Sequence, residues 1–388
     1  MKRFLSLVVI STLLITPSAF GVTKKPSIKA LKLLTNVGNV DEFSGLVTSG
    51  KTIIVFGNKG ERSFARALDT SGNELWNIAL DGASPSVASA ATVDGVGNIW
   101  IAGSTSLLRP SATPSPTVSP LNPDKVVPPT DIFSADLNAF SLWSLNPSTQ
   151  ALVQYSLQLD KPILINAIAI DKAGITAVGT SGAVITSDLK GNIVKPLYIG
   201  TDATNFESVV KNSDGSVTVV GSSSETIAGK KLAGKVDGVI VKVSKAGKLL
   251  SVVRSSAPKA ARSWNNITTS NLMAGEVITG KKIESAVTKF SNSFVPTWTY
   301  RFLSTGTTFA SGSTYAMFQS TSGITQLNNW LPKNPQGLLL TFDLKGAITG
   351  GYSAPIDQKQ TLGLYASKEL GLLCITSSAD SVSIFTLN

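Results

Sequence analysis

Any chemistry in this chain must be done without histidine, because the sequence contains none. That removes Ser–His and Cys–His nucleophile systems, His-ligated zinc and His-ligated haem. Cys374 is the only cysteine, so no internal disulfide forms. Its setting in the apolar run GLLCITSS reads as a buried, inert thiol. What is left is carboxylate chemistry, with lysine, arginine and tyrosine beside it. Two carboxylates facing each other across a cleft are the machinery for breaking a glycosidic bond. Glu42, Asp202, Glu207 and Asp357 are the candidates for such a pair, in a hydrolase or a lyase.

A second set of residues suits binding instead. Trp330, in STSGITQLNNWLPKNP, offers either a stacking face for a sugar or aromatic group or an anchor for its own loop. Lys230, Lys231, Lys281 and Arg62, with Lys59, Lys235 and Lys282, offer a cationic rim. Cofactor motifs are missing. GEVITGKK, Gly275 to Lys282, nearly spells a phosphate loop, but Lys282 stands where Ser or Thr would hold magnesium, and the stretch reads as a strand. Asp/Asn turns are the one place calcium would fit, yet no dense acidic loop is present. The expectation is no cofactor and no resident metal.

The elements that must position these residues repeat along the chain. Apolar, β-branched runs ending in Gly recur as TIIVFG, NIWIAG, GITAVG, SVTVVG and EVITG, the last ending at Gly280. Weaker copies end at Gln319 and Thr376. Most follow an Asp/Asn/Ser-Gly turn cluster, and each is followed by another strand such as RSFARAL or GVIVKVS. Outer strands such as NELWNIAL, NIVKPLYI and KLLSVVR come next, and small-residue strands such as SVASAATV open the units. Trp76 and Trp298 fall at matching outer positions and read, with Trp100, as packing. Four strands in about fifty residues is the signature of a β-propeller blade. Seven such units give an all-β, seven-bladed propeller of four-stranded antiparallel blades. The last unit lacks its outer strand, which Ile28 to Leu34 near the N-terminus supplies, closing the ring.

In that fold the loops between second and third strands lie on the same face as the links between units. Three are long: Ser104 to about Asp136, carrying seven prolines, Ser222 to Val236, and Ser320 to Pro335. This is the expected binding face, and the four candidate acids lie in or near links that reach the channel mouth. Glu61, Asp136, Asp237, Glu284 and Asp380 recur near the start of third strands, which argues for a structural job such as accepting loop amides.

LDTSGNELW followed by SAATVDGVGNIWIAGSTS resembles the bacterial secreted β-propeller repeat, over Leu68 to Ser106 and again from Phe206 to Val253. It resembles quinoprotein-like propellers more loosely. The resemblance implies a propeller in an exported bacterial protein and no particular activity. The N-terminus agrees with export. Lys2 and Arg3 precede an apolar run from Phe4 to Ile15, and Ala19-Phe20-Gly21 fits a cleavage site, so residues 1–21 read as a signal peptide and 22–388 as one propeller domain. The formal charge of +10 suits contact with anionic envelope polymers. No basic run is interleaved with aromatics, so nucleic acid is not the expected partner. The expectation is an exported, monomeric, non-enzymatic module, without a transmembrane segment after signal cleavage, that binds an envelope protein or glycan at the cell surface, in the periplasm or outside the cell. The alternative is a carboxylate enzyme acting on carbohydrate at the channel mouth.

Overall fold

The structure, a computed structural model, describes residues 25–80, 85–107 and 137–387. The leader and nearly all of the proline-rich insertion, Asp136 included, lie outside the described residues. Strands account for the regular structure, with two single 3-10 turns and no α-helix among the described residues. The burial of each strand follows its composition. Second strands are apolar on both faces and buried on both, as in Ile53 to Phe56 and Ile99 to Ala102. Outer strands alternate, as in Glu74–Ala79, where exposed and half-buried residues take turns.

Each four-stranded array pairs its strands in chain order. Phe43–Ser49, Thr52–Lys59, Arg62–Leu68 and Glu74–Ala79 form array 1. Array 2 spans residues 86–158, array 3 residues 165–198 and array 4 residues 204–255. An eight-stranded sheet follows, in which the long strand Pro296–Ser311 serves two arrays. Its first half pairs with Lys282–Phe290 to finish array 5, and its second half pairs with Tyr315–Ser320 to open array 6. Array 7 comprises Gln360–Ser367, Gly371–Ser377 and Ser381–Thr386, completed by Lys32–Asn39. The first strand of each array contacts the first strand of the next, and that of array 7 contacts that of array 1. The first strands therefore form a closed ring. Apolar layers fill the gaps between arrays. Val47, Ile54 and Phe56 of array 1, for example, pack on Ala88, Ile101 and Trp143 of array 2.

One local device recurs in every array. The first strand carries a register shift, between Phe43 and Gly45, Ala88 and Ala90, Ile165 and Ala167, Phe206 and Ser208, Trp264 and Asn266, Thr305 and Phe309, and Thr361 and Gly363. Just before the shift the strand presses a carbonyl onto its neighbour. A Cβ at Gly57, Gly103, Gly179, Gly221 or Gly275 would overlap the backbone oxygen of Glu42, Val87, Leu164, Asn205 or Ser263 respectively. This is the physical reason for the recurring glycine. In array 5 that glycine is Gly275. Gly280, which the sequence pattern aligned with the others, sits in the turn after the strand at φ +61°. Gln319 and Thr376 hold the equivalent positions in arrays 6 and 7. There the side chains tie to Gln358: Gln319 Nε2 donates to its carbonyl at 3.2 Å, and Thr376 Oγ1 to its Oε1 at 2.7 Å.

The turns use the chemistry their residues supply. Asp69 Oδ1 accepts from the amides of Ser71 (2.8 Å) and Asn73 (2.9 Å). Asp94, Asp188 and Asp343 repeat the same two bonds. Trp76 and Trp298 pack from outer strands against apolar layers, and Trp100 is buried.

Two strand assignments differ from the sequence reading. NIVKPLYI keeps only Leu197–Tyr198 as an outer strand, because Pro196 has no amide hydrogen to give the ladder. The N-terminal closing strand is displaced. Ile28–Ala30 runs parallel to Ile348–Ser353 on the edge of array 6, which makes the large sheet mixed rather than antiparallel. Leu31 is buried between arrays, and the strand that completes array 7 is Lys32–Asn39. Eight residues are needed to cover the edge of Ser381–Thr386, because the closing strand carries two register shifts.

Candidate functional site

Antiparallel order puts the second-to-third loops and the links between arrays at one end of the ring. Of the long loops, 224–236 and 321–335 lie within the described residues, and both are tied down. Asp237, with no exposed surface, accepts the amides of Ala233 and Gly234 at 2.9 Å each and pairs with Arg254 at 3.1 Å. Burial works against the Asp237 charge, but the two amides, Ser256 and Arg254 outweigh it and hold its carboxyl below the usual range. The Arg254 guanidinium also donates to the carbonyls of Lys230 and Glu225, so one buried ion pair sets the shape of the loop. Lys230 and Lys231 are exposed on that loop, Lys281 is exposed in the short turn of array 5, and Arg62 is exposed at the start of the third strand of array 1.

Trp330 is turned inward. It is 8% exposed, packs against Phe318, Leu327 and Leu338, and donates from Nε1 to Ser320 Oγ at 3.2 Å. Its ring anchors the loop 321–335 and offers no stacking face at the surface. Leu331, beside it, is exposed instead. Glu284 pairs with Lys282 and Arg301, and Cys374 is free and buried, its thiol pushed up to about 12 by burial.

The four candidate acids are spread around the ring. Glu42 lies in the link from array 7 to array 1 and pairs with Lys59 at 3.6 Å. Asp202, in the link from array 3 to array 4, accepts from Lys161 Nζ at 2.7 Å and Ser181 Oγ at 2.6 Å, which lowers its pKa. Asp357 is exposed in the link before array 7 and accepts from Gln358 Nε2 at 3.4 Å. Glu207 is the unpaired residue at the register shift of array 4 and accepts from Asn205 Nδ2. These four share no hydrogen bond or ion pair.

Glu207 has a neighbour that sequence reasoning missed. Glu276, in the second strand of array 5, feels the charge of Glu207. Burial raises the pKa of Glu207, and burial together with Glu207 raises that of Glu276. The available signal was a Glu inside the otherwise apolar strand LMAGEVIT. A raised carboxyl pKa means folding disfavours the ionised form. The penalty is absent below the ordinary value of 4.5 and grows as pH rises through the raised value. Glu207→Gln is therefore expected to raise the melting temperature at pH 7, with the gain closing as pH falls below 4.5. Melts across pH 4 to 7 check this.

A cleft opens on array 1, beside the link that leads into it. Its cavity is about 280 Å³ and its lining includes Glu42, Lys59, Arg62, Phe64, Arg66 and Asn77. Arg62, Phe64 and Arg66 alternate along one strand and so share a face. The Arg66 guanidinium lies 5.7 Å from the Phe64 ring and donates to the carbonyl of Val37 in the closing strand. Arg66 Nε is buried and has no hydrogen-bond partner. Three residues singled out from the sequence, Glu42, Lys59 and Arg62, thus meet here. A larger cavity of about 530 Å³ lies between arrays 6 and 7, lined by Thr305, Thr307, Gln319, Lys359, Gln360 and Thr361 among others. Among the described residues no group of three or more Cys, Asp or Glu is placed to hold a metal ion, and no helix is long and apolar enough to cross a membrane.

Solved structures share this architecture. The chain aligns over 93% of its length with 100% of the chain in the structure of U3-55K, at 11% identity and TM-score 0.59. It aligns over 94% with 99% of the RRP9 WD40 repeats, at 10% identity and TM-score 0.59. A chain of the mitotic checkpoint complex is 99% covered by the full length of this one, at 11% identity and TM-score 0.54. With the strand order above, these likenesses define the fold as a β-propeller repeat protein; at such identity they carry the fold alone. No protein-family model matches the sequence, and no curated protein does.

Proposed function

We propose that this chain is an exported, non-enzymatic, seven-bladed propeller of the bacterial secreted-repeat type, which binds an envelope protein or glycan through its loop-rich face. The observation that carries the reading is the asymmetry of the ring. Its tied long loops, which carry the exposed Lys230 and Lys231, lie at one end with Arg62 and Lys281, whereas the described turns at the opposite end are short; the acids in the links pair with lysines or stand apart. Support for seven blades comes from counting arrays 5 and 6 separately within their shared sheet. Insertions on one face of a repeat scaffold often mark its binding face. The reading is tested by incubating purified protein with isolated cell-envelope material. Saturable binding is expected, and a linear, unsaturable signal contradicts it.

The neighbouring Glu207 and Glu276 favour one second reading, carbohydrate cleavage by paired carboxylates, in which one member would act as the acid and the other as base or nucleophile. Turnover of an envelope polysaccharide by the wild type, lost in both Glu207→Gln and Glu276→Gln, would support it.

A further inference from the structure

We propose that the array 1 cleft around Arg62 and Arg66 is a binding site for an acidic saccharide unit, whose anionic group the two arginines receive. This rests on the envelope-binding reading and names a ligand class within it. The first support is a break in the repeat. The position held by Arg66 is Trp143, Ile185, Val241, Thr288, Leu339 and Phe385 in the other arrays, as the pairing of second and third strands shows. Five of those six are apolar core residues. Array 1 alone puts a charged group there.

The second support is how Arg66 is held. Of the other partly buried arginines, Arg254 has the Asp237 carboxylate and Arg262 stacks on the Trp264 ring at 4.3 Å. Among the described residues neither Arg62 nor Arg66 has a carboxylate partner. Arg66 donates only to the Val37 carbonyl, and its Nε stays unpartnered. The closing strand makes room for it. Gly38, at φ +117°, lies where a Cβ would overlap the guanidinium, and the strand shifts register between Asn36 and Gly38. The only carboxylate in the lining, Glu42, is engaged by Lys59. The Arg62 guanidinium and Nη1 of Arg66 are thus left without a protein partner at the cavity, donors that suit a carboxylate or a phosphate ester.

The third support is size and wall chemistry. At about 280 Å³ the cavity is too large for a bare ion. The Phe64 ring and the Asn77 amide suit a sugar ring with its hydroxyls. Because the protein binds the ligand only when folded, a bound ligand would also stabilise the protein.

Calorimetric titration of the full-length wild type tests this with a uronic-acid oligosaccharide, a sugar phosphate, a neutral oligosaccharide and inorganic phosphate. The carboxylate and phosphate sugars distinguish the two anionic groups. At least one is expected to bind, to weaken as salt rises, and to raise the melting temperature. Arg66→Gln should weaken that binding about tenfold or more, and Arg62→Gln several-fold. Arg66→Lys, which keeps the charge without the fork, guards against misfolding of the Gln variant and should bind more weakly than wild type. Equal binding of the neutral sugar, binding of inorganic phosphate as tight as that of the acidic sugars, or unchanged affinity in a folded Arg66 variant overturns the proposal. Envelope binding measured on the same variants separates the two claims. If it persists while no acidic sugar binds, the site is wrong and the envelope reading stands; if both are absent, both fall.

Discussion

Deleting residues 25–39 is expected to abolish the cooperative thermal transition and to drive the protein into aggregates. Lys32–Asn39 is the outer strand of array 7, and its removal uncovers the edge of Ser381–Thr386. An unpaired edge with apolar side chains is a template for aggregation. The core loses material on two sides. Val37 packs on Leu46, Ile375 and Ile384, and Leu31 packs on Met317, Leu339 and Phe385. Losing a buried aliphatic side chain costs about 2–5 kcal/mol, against a total stability on the order of 5–15 kcal/mol. The ladder and Ile28–Ala30 go with them. Adding a synthetic peptide of residues 25–39 should restore part of the transition, because it supplies the strand in trans. Differential scanning calorimetry decides the matter. A deletion variant that melts at the wild-type temperature would show that the ring does not depend on this strand.

Asp237→Ala is the point substitution with the largest expected effect, a loss of about 3–5 kcal/mol. It leaves the buried Arg254 guanidinium and the amides of Ala233 and Gly234 without their acceptor. The 224–236 loop, which carries Lys230 and Lys231, should loosen and become a site of proteolysis. Asp237→Asn keeps an oxygen acceptor and should cost less. Pairing Asp237→Ala with Arg254→Met should recover part of the loss, because the stranded charge is removed as well. The pH dependence has a definite sign. The Asp237 pKa is lowered on folding from an ordinary 3.8, so its contribution is complete above that value and is lost as pH falls through the folded value. Wild type and Asp237→Ala should therefore converge in acid. Chemical unfolding at pH 7 and at pH 3 measures both effects.

The recurring strands were readable because their composition repeats as well as their length. Arg62–Leu68, Ser86–Val93 and Gly174–Gly179 lie where their residues place them. The glycine that ends each second strand was visible as a pattern, but its cause was not. Only the register shift of the neighbouring strand shows why a carbonyl excludes a Cβ there, and why Gly275 rather than Gly280 is the equivalent residue. Pro196 could have been read more strictly, since a missing amide is a property of the residue alone.

The site was much less legible, because it depends on contacts across the ring. Trp330 has the same composition around it whether it faces solvent or the core. Only its bond to Ser320 and its place against Leu338 separate the two. Glu276 looked inert until folding brought it near Glu207, a residue of another array. Arg66 sits in RSFARAL, where alternation predicts an ordinary strand residue. Its significance depends on the closing strand, which lies 29 residues earlier in the chain at Val37.

The central claim, that one end of a rigid ring carries the binding function, is tested most directly by charge reversal on its two ends. One variant replaces Arg62, Lys230, Lys231 and Lys281 with Glu. The other replaces Lys190, Lys245 and Lys345, exposed on turns at the opposite end, with Glu. Binding isotherms with isolated envelope material are then compared for both variants and wild type, after matching melts confirm folding. The account predicts that the loop-end variant binds about tenfold more weakly or worse, while the opposite-end variant stays close to wild type. Equal loss in both variants, or none in the loop-end variant, would contradict it.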